Sequence, residues 1–132
     1  MSRPDIMAGH ALTPLERAIT LTDMVAYAGA TWDWHRLHYD PEYIAERGLP
    51  APVVDGQMFG AYLVEQLQDE FGPKAWVRTI AFQFKSMVFA GEVIRCTGTV
   101  TDVTPEGIDV QQTIHVGDRL CVTATARVIE RA

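Results

Sequence analysis

Residues 56–73, GQMFGAYLVEQLQDEFGP, limit the folds open to this chain more than any other stretch. Phe59, Leu63 and Leu67 recur every four residues, and Met58, Tyr62 and Phe71 widen the stripe around most of the first half of a helix. Gly72-Pro73 stops it. A helix apolar on so many sides is stable only when other structure wraps it. The residues that follow can do so, because the hydrophobic period changes from that of a helix to that of a strand. Ile80, Phe82 and Phe84 alternate with Ala81, Gln83 and Lys85. Residues 93–103 are rich in strand formers after the turn at Ala90-Gly91. Ile108, Val110, Gln112 and Ile114 follow the turn TPEG, and Leu120, Val122, Ala124, Ala126 and Val128 follow VGD. Four long strands joined by short turns predict an antiparallel meander.

Upstream, residues 18–22 (AITLT) have the alternation of a short strand. Thr22 or Asp23 can cap a helix starting near Met24 and ending at Gly29. Residues 40–48 (DPEYIAERG) predict a second short helix, with Asp40 as N-cap, Pro41 in the first position and Gly48 as the stop. Pro50 and Pro52 keep the next segment extended. Residues 1–12 are expected to be loose. The expected architecture is α+β: one domain, residues 1–132, in which a curved antiparallel sheet wraps one long central helix. Such a sheet leaves an edge that can pair with a second copy of the chain, so a homodimer or higher homo-oligomer is expected.

Composition removes several classes of partner. The formal charge is −6, without the basic patch of a nucleic-acid surface, and no apolar run approaches the roughly 20 residues that span a bilayer. No nucleic acid and no membrane partner are expected. The first residues, MSRPDIMAGHALTP, lack the apolar stretch of a signal peptide, and the expected location is cytoplasmic. Cys96 and Cys121 read as small buried hydrophobes of a reducing compartment.

The functional question concentrates in residues 32–40, WDWHRLHYD, which hold Asp33, His35, Arg36, His38 and Asp40. Three readings are open. The segment is a solvated turn, in which Asp33 caps and His38 is half exposed. It is a metal site, with His35 and His38 on one helical face and oxygen from Asp33 or Asp40, although HExxH and Cys-x-x-Cys patterns are absent. Or it is an acid–base centre, in which Asp33 and His38 point into one cleft and trade protons. Trp32, Trp34, Leu37 and Tyr39 would desolvate such a pair, and this favours the third reading. Gly56 adds to it. The first N–H groups of the helix it begins have no internal partner and can hold a developing oxyanion; alternatively, the glycine only makes a tight helix entry.

Residues 27–56, YAGATWDWHRLHYDPEYIAERGLPAPVVDG, resemble the hydratase motif of the MaoC-like acyl-CoA dehydratases, the R-specific enoyl-CoA hydratases. That motif reads roughly GDxNPxHxD, then a variable stretch, then HG at the start of the central helix of the hot-dog fold. Asp33, His38 and Asp40 fall on its Asp, His and second Asp, and Gly56 on the glycine whose N–H binds the thioester oxygen. This chain departs at three places: His35 replaces the Asn, Arg36 the Pro and Asp55 the His before the glycine; it has no asparagine at all. The changes resemble an HRxHYD variant of hydratases of unusual acyl-CoAs, and single hot-dog chains that pair with a second MaoC-like chain.

The resemblance implies reversible addition of water to a 2-enoyl-CoA or acyl-carrier thioester, with Asp33 and His38 catalytic and Gly56 binding substrate. Arg36 would orient the pair or meet a CoA phosphate, and His35 would replace the missing Asn as an orienter. No metal and no other cofactor are implied. Two rivals differ in class. A hot-dog thioesterase usually keeps its base or nucleophile on the central helix, where Glu65 is the one acid before the last turn. A non-catalytic hot-dog subunit would lend a wall to a catalytic partner.

Overall fold

A computed structural model describes residues 6–131. In chain order it runs β1 (Leu15–Ala18), α1 (Leu21–Thr31), a single 3₁₀ turn (Arg36–His38), α2 (Pro41–Glu46), α3 (Gly56–Phe71), β2 (Ala75–Phe84), β3 (Val93–Thr104), β4 (Gly107–Val116) and β5 (Arg119–Glu130). The five strands form one antiparallel sheet in the order β1-β3-β4-β5-β2. It curls around α3 as a hot-dog fold of the α+β class, as the sequence predicted.

The simple meander is corrected in one place. β3, β4 and β5 are joined by tight turns, but β2 pairs with β5 at the far edge, not with β3. The cause is the connection over residues 85–92, which is no hairpin. Val88 is buried, Val54 N–H donates to its carbonyl at 2.8 Å, and Ala90 N–H donates to Pro52 at 2.9 Å. The same connection holds the start of α1, since Gly91 N–H donates to Ile19 at 2.7 Å.

Two further expectations shift. The early strand lies at Leu15–Ala18 rather than at residues 18–22, and α1 starts at Leu21 rather than near Met24. The reason is a capping box at Thr20: its hydroxyl accepts Asp23 N–H at 3.1 Å, and the Asp23 carboxylate accepts Thr20 N–H at 3.0 Å. Residues 6–12 are not loose. Ile6 and Leu12 are buried, and Gly9 and Leu12 donate to Val100 and Gly98 of β3 at 2.8 and 2.9 Å. Residues 1–5 lie outside the described part. α2 follows its sequence signals: Asp40 caps it, Pro41 begins it and Gly48 turns out of it at φ 68°.

On α3, Phe59, Leu63, Leu67 and Phe71 are buried against the sheet. Burial stabilises each by about 1.5–3 kcal/mol. One polar residue shares this face. The Gln66 amide donates to Thr13 and Cys96 carbonyls, both at 3.1 Å, and Gln112 of β4 donates to the Gln66 side-chain oxygen at 2.9 Å and to the Leu63 carbonyl at 3.0 Å. Gln112 Oε1 is buried without a partner. Cys96 and Cys121 are buried and unpaired, and burial pushes the Cys96 thiol up to about 12. No described helix is long and apolar enough to cross a membrane.

Candidate active site

The site begins where α1 ends. Trp32 adopts a left-handed conformation, φ 57°, the one non-glycine residue with positive φ among the described residues. Its N–H and that of Asp33 both fold back onto the Ala28 carbonyl, so the chain reverses and Asp33 emerges immediately beyond the helix. A left-handed non-glycine residue costs about 1–3 kcal/mol and is kept where the surroundings impose it.

The 3₁₀ turn then sets His38. His35 caps it, with Nδ1 accepting Leu37 N–H at 3.1 Å. His38 Nδ1 lies 2.6 Å from the Val53 carbonyl oxygen. A carbonyl can only accept, so Nδ1 carries the hydrogen and Nε2 is left to take or give a proton. Val53 N–H donates back to Leu37 at 3.1 Å. This stitch carries the chain into Asp55 and Gly56 at the head of α3.

The structure brings Asp33 and His38 together and adds a residue that sequence reasoning missed. Ligand-capable atoms of Asp33, His38 and Asp55 all lie within 4.8 Å of one another. Asp55 did carry a signal, since it stands where the resembled motif has a histidine next to the glycine. Tyr27 was also missed. Burial, followed by the charges of Asp55 and Asp33, pushes its phenol above the ordinary range.

Arg36 makes no described hydrogen bond to this group, and His35 meets it through its backbone alone: its N–H donates to Asp33 Oδ1 at 3.3 Å and its carbonyl accepts His38 N–H at 3.0 Å. Arg36 donates to Asp40 at 2.8 Å and lies over the Tyr43 ring, 4.8 Å from its centroid. Asp40 uses its other oxygen to cap α2 through Glu42 and Tyr43 N–H groups, and the Arg36 guanidinium holds its carboxyl below the usual carboxylate range. Both therefore build the shoulder of the site. The His35 ring lies between those of His38 and Tyr43, 5.8 and 5.9 Å away.

The aromatic screen expected around the pair is corrected. Trp32 is 79% exposed, and its ring meets Trp34 edge-on in solvent. Trp34 and Tyr39 are exposed as well. In a single chain the described neighbours of the pair are instead buried Val53, whose carbonyl meets His38, and Asp55.

At the head of α3, Asp55 takes two of the N–H groups. Its side chain accepts Gln57 N–H at 2.9 Å and its carbonyl accepts Met58 N–H at 3.0 Å. Gly56 N–H has no partner among the described residues. The space over the glycine is filled by Phe84: a Cβ on Gly56 would lie 2.3 Å from the ring's Cζ. An open pocket of about 360 Å³ adjoins it, walled by Val54, Phe59, Phe84, Met87 and Val88.

Among curated proteins, the chain is 30% identical over 78 residues to the mitochondrial 3-hydroxyacyl-[acyl-carrier-protein] dehydratase of Arabidopsis thaliana; the match takes in 59% of this chain and 46% of that protein. The chain thus spans about half the length of that relative. Among solved structures, the (R)-hydratase of A. caviae involved in PHA biosynthesis superposes with a TM-score of 0.89 at 22% identity, covering 98% of this chain and 100% of that one. A chain of the ChsH1-ChsH2 complex from Mycobacterium tuberculosis gives 0.88 at 24% identity, covering 94% and 98%. At such identities the structural matches speak to the fold. The model of the MaoC like domain matches residues 6–125, nearly the whole described chain, and on that match the protein belongs to the MaoC-like hydratase and dehydratase family.

Proposed function

We propose that this chain is a hydratase that adds water reversibly to a 2-enoyl thioester, giving a 3-hydroxyacyl thioester. One observation carries the reading: the Asp33 carboxylate and the His38 imidazole converge within 4.8 Å, beside a helix head whose first N–H is free. Water attacks C3 and loses a proton to one of the pair, while the other delivers a proton to C2. Between these events the thioester oxygen carries enolate charge, which the Gly56 N–H stabilises. No proton is gained or lost overall. A thioesterase built on the central helix is less well supported, because Glu65 is engaged by the Arg17 guanidinium. The unpaired buried cysteines fit a reducing compartment such as the cytoplasm.

The test is direct. Purified alone and mixed with short and medium 2-enoyl-CoAs, and then with the matching acyl-carrier thioesters, the protein should consume the conjugated enoyl absorbance without releasing free thiol. Thiol release would convert the assignment to hydrolysis. Silence toward every thioester would leave a subunit that needs a catalytic partner.

Assembly is tested separately. β2 is an unpaired edge with Trp76 and Phe84 exposed on it, and two such edges can join antiparallel about a twofold axis. Light scattering at micromolar concentration should give at least twice the chain mass of 14.7 kDa. A stable monomer would point to a second MaoC-like chain as the partner.

A further inference from the structure

Asp55 has a second carboxylate oxygen that capping does not use. Oδ1 accepts Gln57 N–H at 2.9 Å, and the group as a whole stands within 4.8 Å of Asp33 and His38. Three atoms no more than 4.8 Å apart fit inside a circle of radius about 2.8 Å, so one oxygen atom in their midst lies within hydrogen-bonding reach of all three. A water molecule is the oxygen that the reaction requires there. We propose that Asp55 is a third catalytic residue, which with Asp33 and His38 cradles the water that attacks C3; this rests on the hydratase reading above.

The count of donors and acceptors explains what the third contact adds. Water offers two O–H bonds and two lone pairs. With Asp33 and His38 alone, one O–H has no partner and the molecule can turn. With Asp55, both O–H bonds are taken by carboxylates. In the protonated ring, whose Nδ1–H stays on Val53, the second N–H, on Nε2, then meets one lone pair, and the other lone pair points toward C3. The oxygen is held in the attacking orientation before the substrate arrives, the kind of positioning that lowers a barrier without new chemistry. Two carboxylates around one water also divide the proton traffic. As the C3–O bond forms, an O–H bond breaks and its proton goes to a carboxylate; the proton that C2 gains comes from the imidazole. Return of the first proton to the imidazole resets the site, with atoms and charge balanced.

The experiment uses Asp55→Asn and Asp55→Ser, because Asn and Ser both cap a helix about as well as Asp. Neither can accept a proton from water at the vacated position. Both variants should melt within a few degrees of the parent. Their kcat on the parent's best enoyl thioester should fall about 10²-fold, the lower end for a general acid or base, with KM changed less than about threefold. If Asp55 only caps α3, both variants keep the parent's kcat per folded molecule, and the inference is overturned. A parent inactive on every thioester overturns the hydratase reading and this inference with it, leaving Asp55 its cap alone. Metal analysis of untagged protein is the remaining arm. One equivalent of zinc or iron, removed by chelation together with activity, would assign the three side chains to a cation instead of a water.

Discussion

Replacing Asp33 by Asn or His38 by Ala should lower turnover by about 10²–10⁴, the usual contribution of a general acid or base, in a protein that is expected to stay folded. The structure says why folding survives. The Asp33 side chain has one described hydrogen bond, a long one from His35 N–H at 3.3 Å, which Asn can also accept. His38 loses its contact with the Val53 carbonyl, worth about 1 kcal/mol, while Val53 N–H keeps its bond to Leu37. Melting curves and initial rates on one preparation check both halves. Near-parental turnover in either variant, with an active parent, removes that residue from the chemistry.

The second large effect is expected at Gly56, where two explanations for a glycine compete. The free N–H beside the acid–base pair calls for close approach by the thioester, and a lost oxyanion donor is worth about 10²–10³ in rate. The Phe84 ring also needs the glycine, because a Cβ would meet its Cζ at 2.3 Å. Gly56→Val should therefore lower both melting temperature and turnover. The ring is 58% exposed and can swing outward, so the stability cost is limited. Adding Phe84→Ala separates the causes by removing the clash while leaving the new side chain beside the N–H. The double variant should regain stability and remain about 10²-fold slow or slower. Recovery of turnover along with stability would mean that the glycine serves the ring, and the thioester would lose its anchor.

Much that is decided locally can be read from the sequence, although the capping box between Thr20 and Asp23, three residues apart, escapes that reading and α1 is expected too late. Asp40, Pro41 and Gly48 predicted α2 because cap, first position and stop all lie within one short segment. The close spacing of Asp33 and His38 brought them into view for the same reason. Asp55 was hidden, because it reaches the pair only through non-local bonds: Val53 to Leu37, and Val54 and Ala90 across to the connection before β3. The same connection hid the place of β2, since residues 85–92 look like an ordinary loop until Val88 is seen buried. Trp32 misled for a different reason. Aromatic composition says nothing of which way a ring faces, and a left-handed backbone turned this one outward.

The glutamine pair beneath α3 has a consequence for how this family member can drift. Packing among hydrocarbons is non-directional, so a helix held only by Leu and Phe could creep along its groove at small cost. Amides are directional. The Gln66 and Gln112 amides donate to Thr13, Cys96 and Leu63 carbonyls, and a one-residue slide would leave those amide N–H groups without partners. The pair works as a detent, even with Gln112 Oε1 left unsatisfied. The depth at which the helix presents its head is thus indexed from the middle of the helix, and the leucines around that index are free to exchange for other apolar residues.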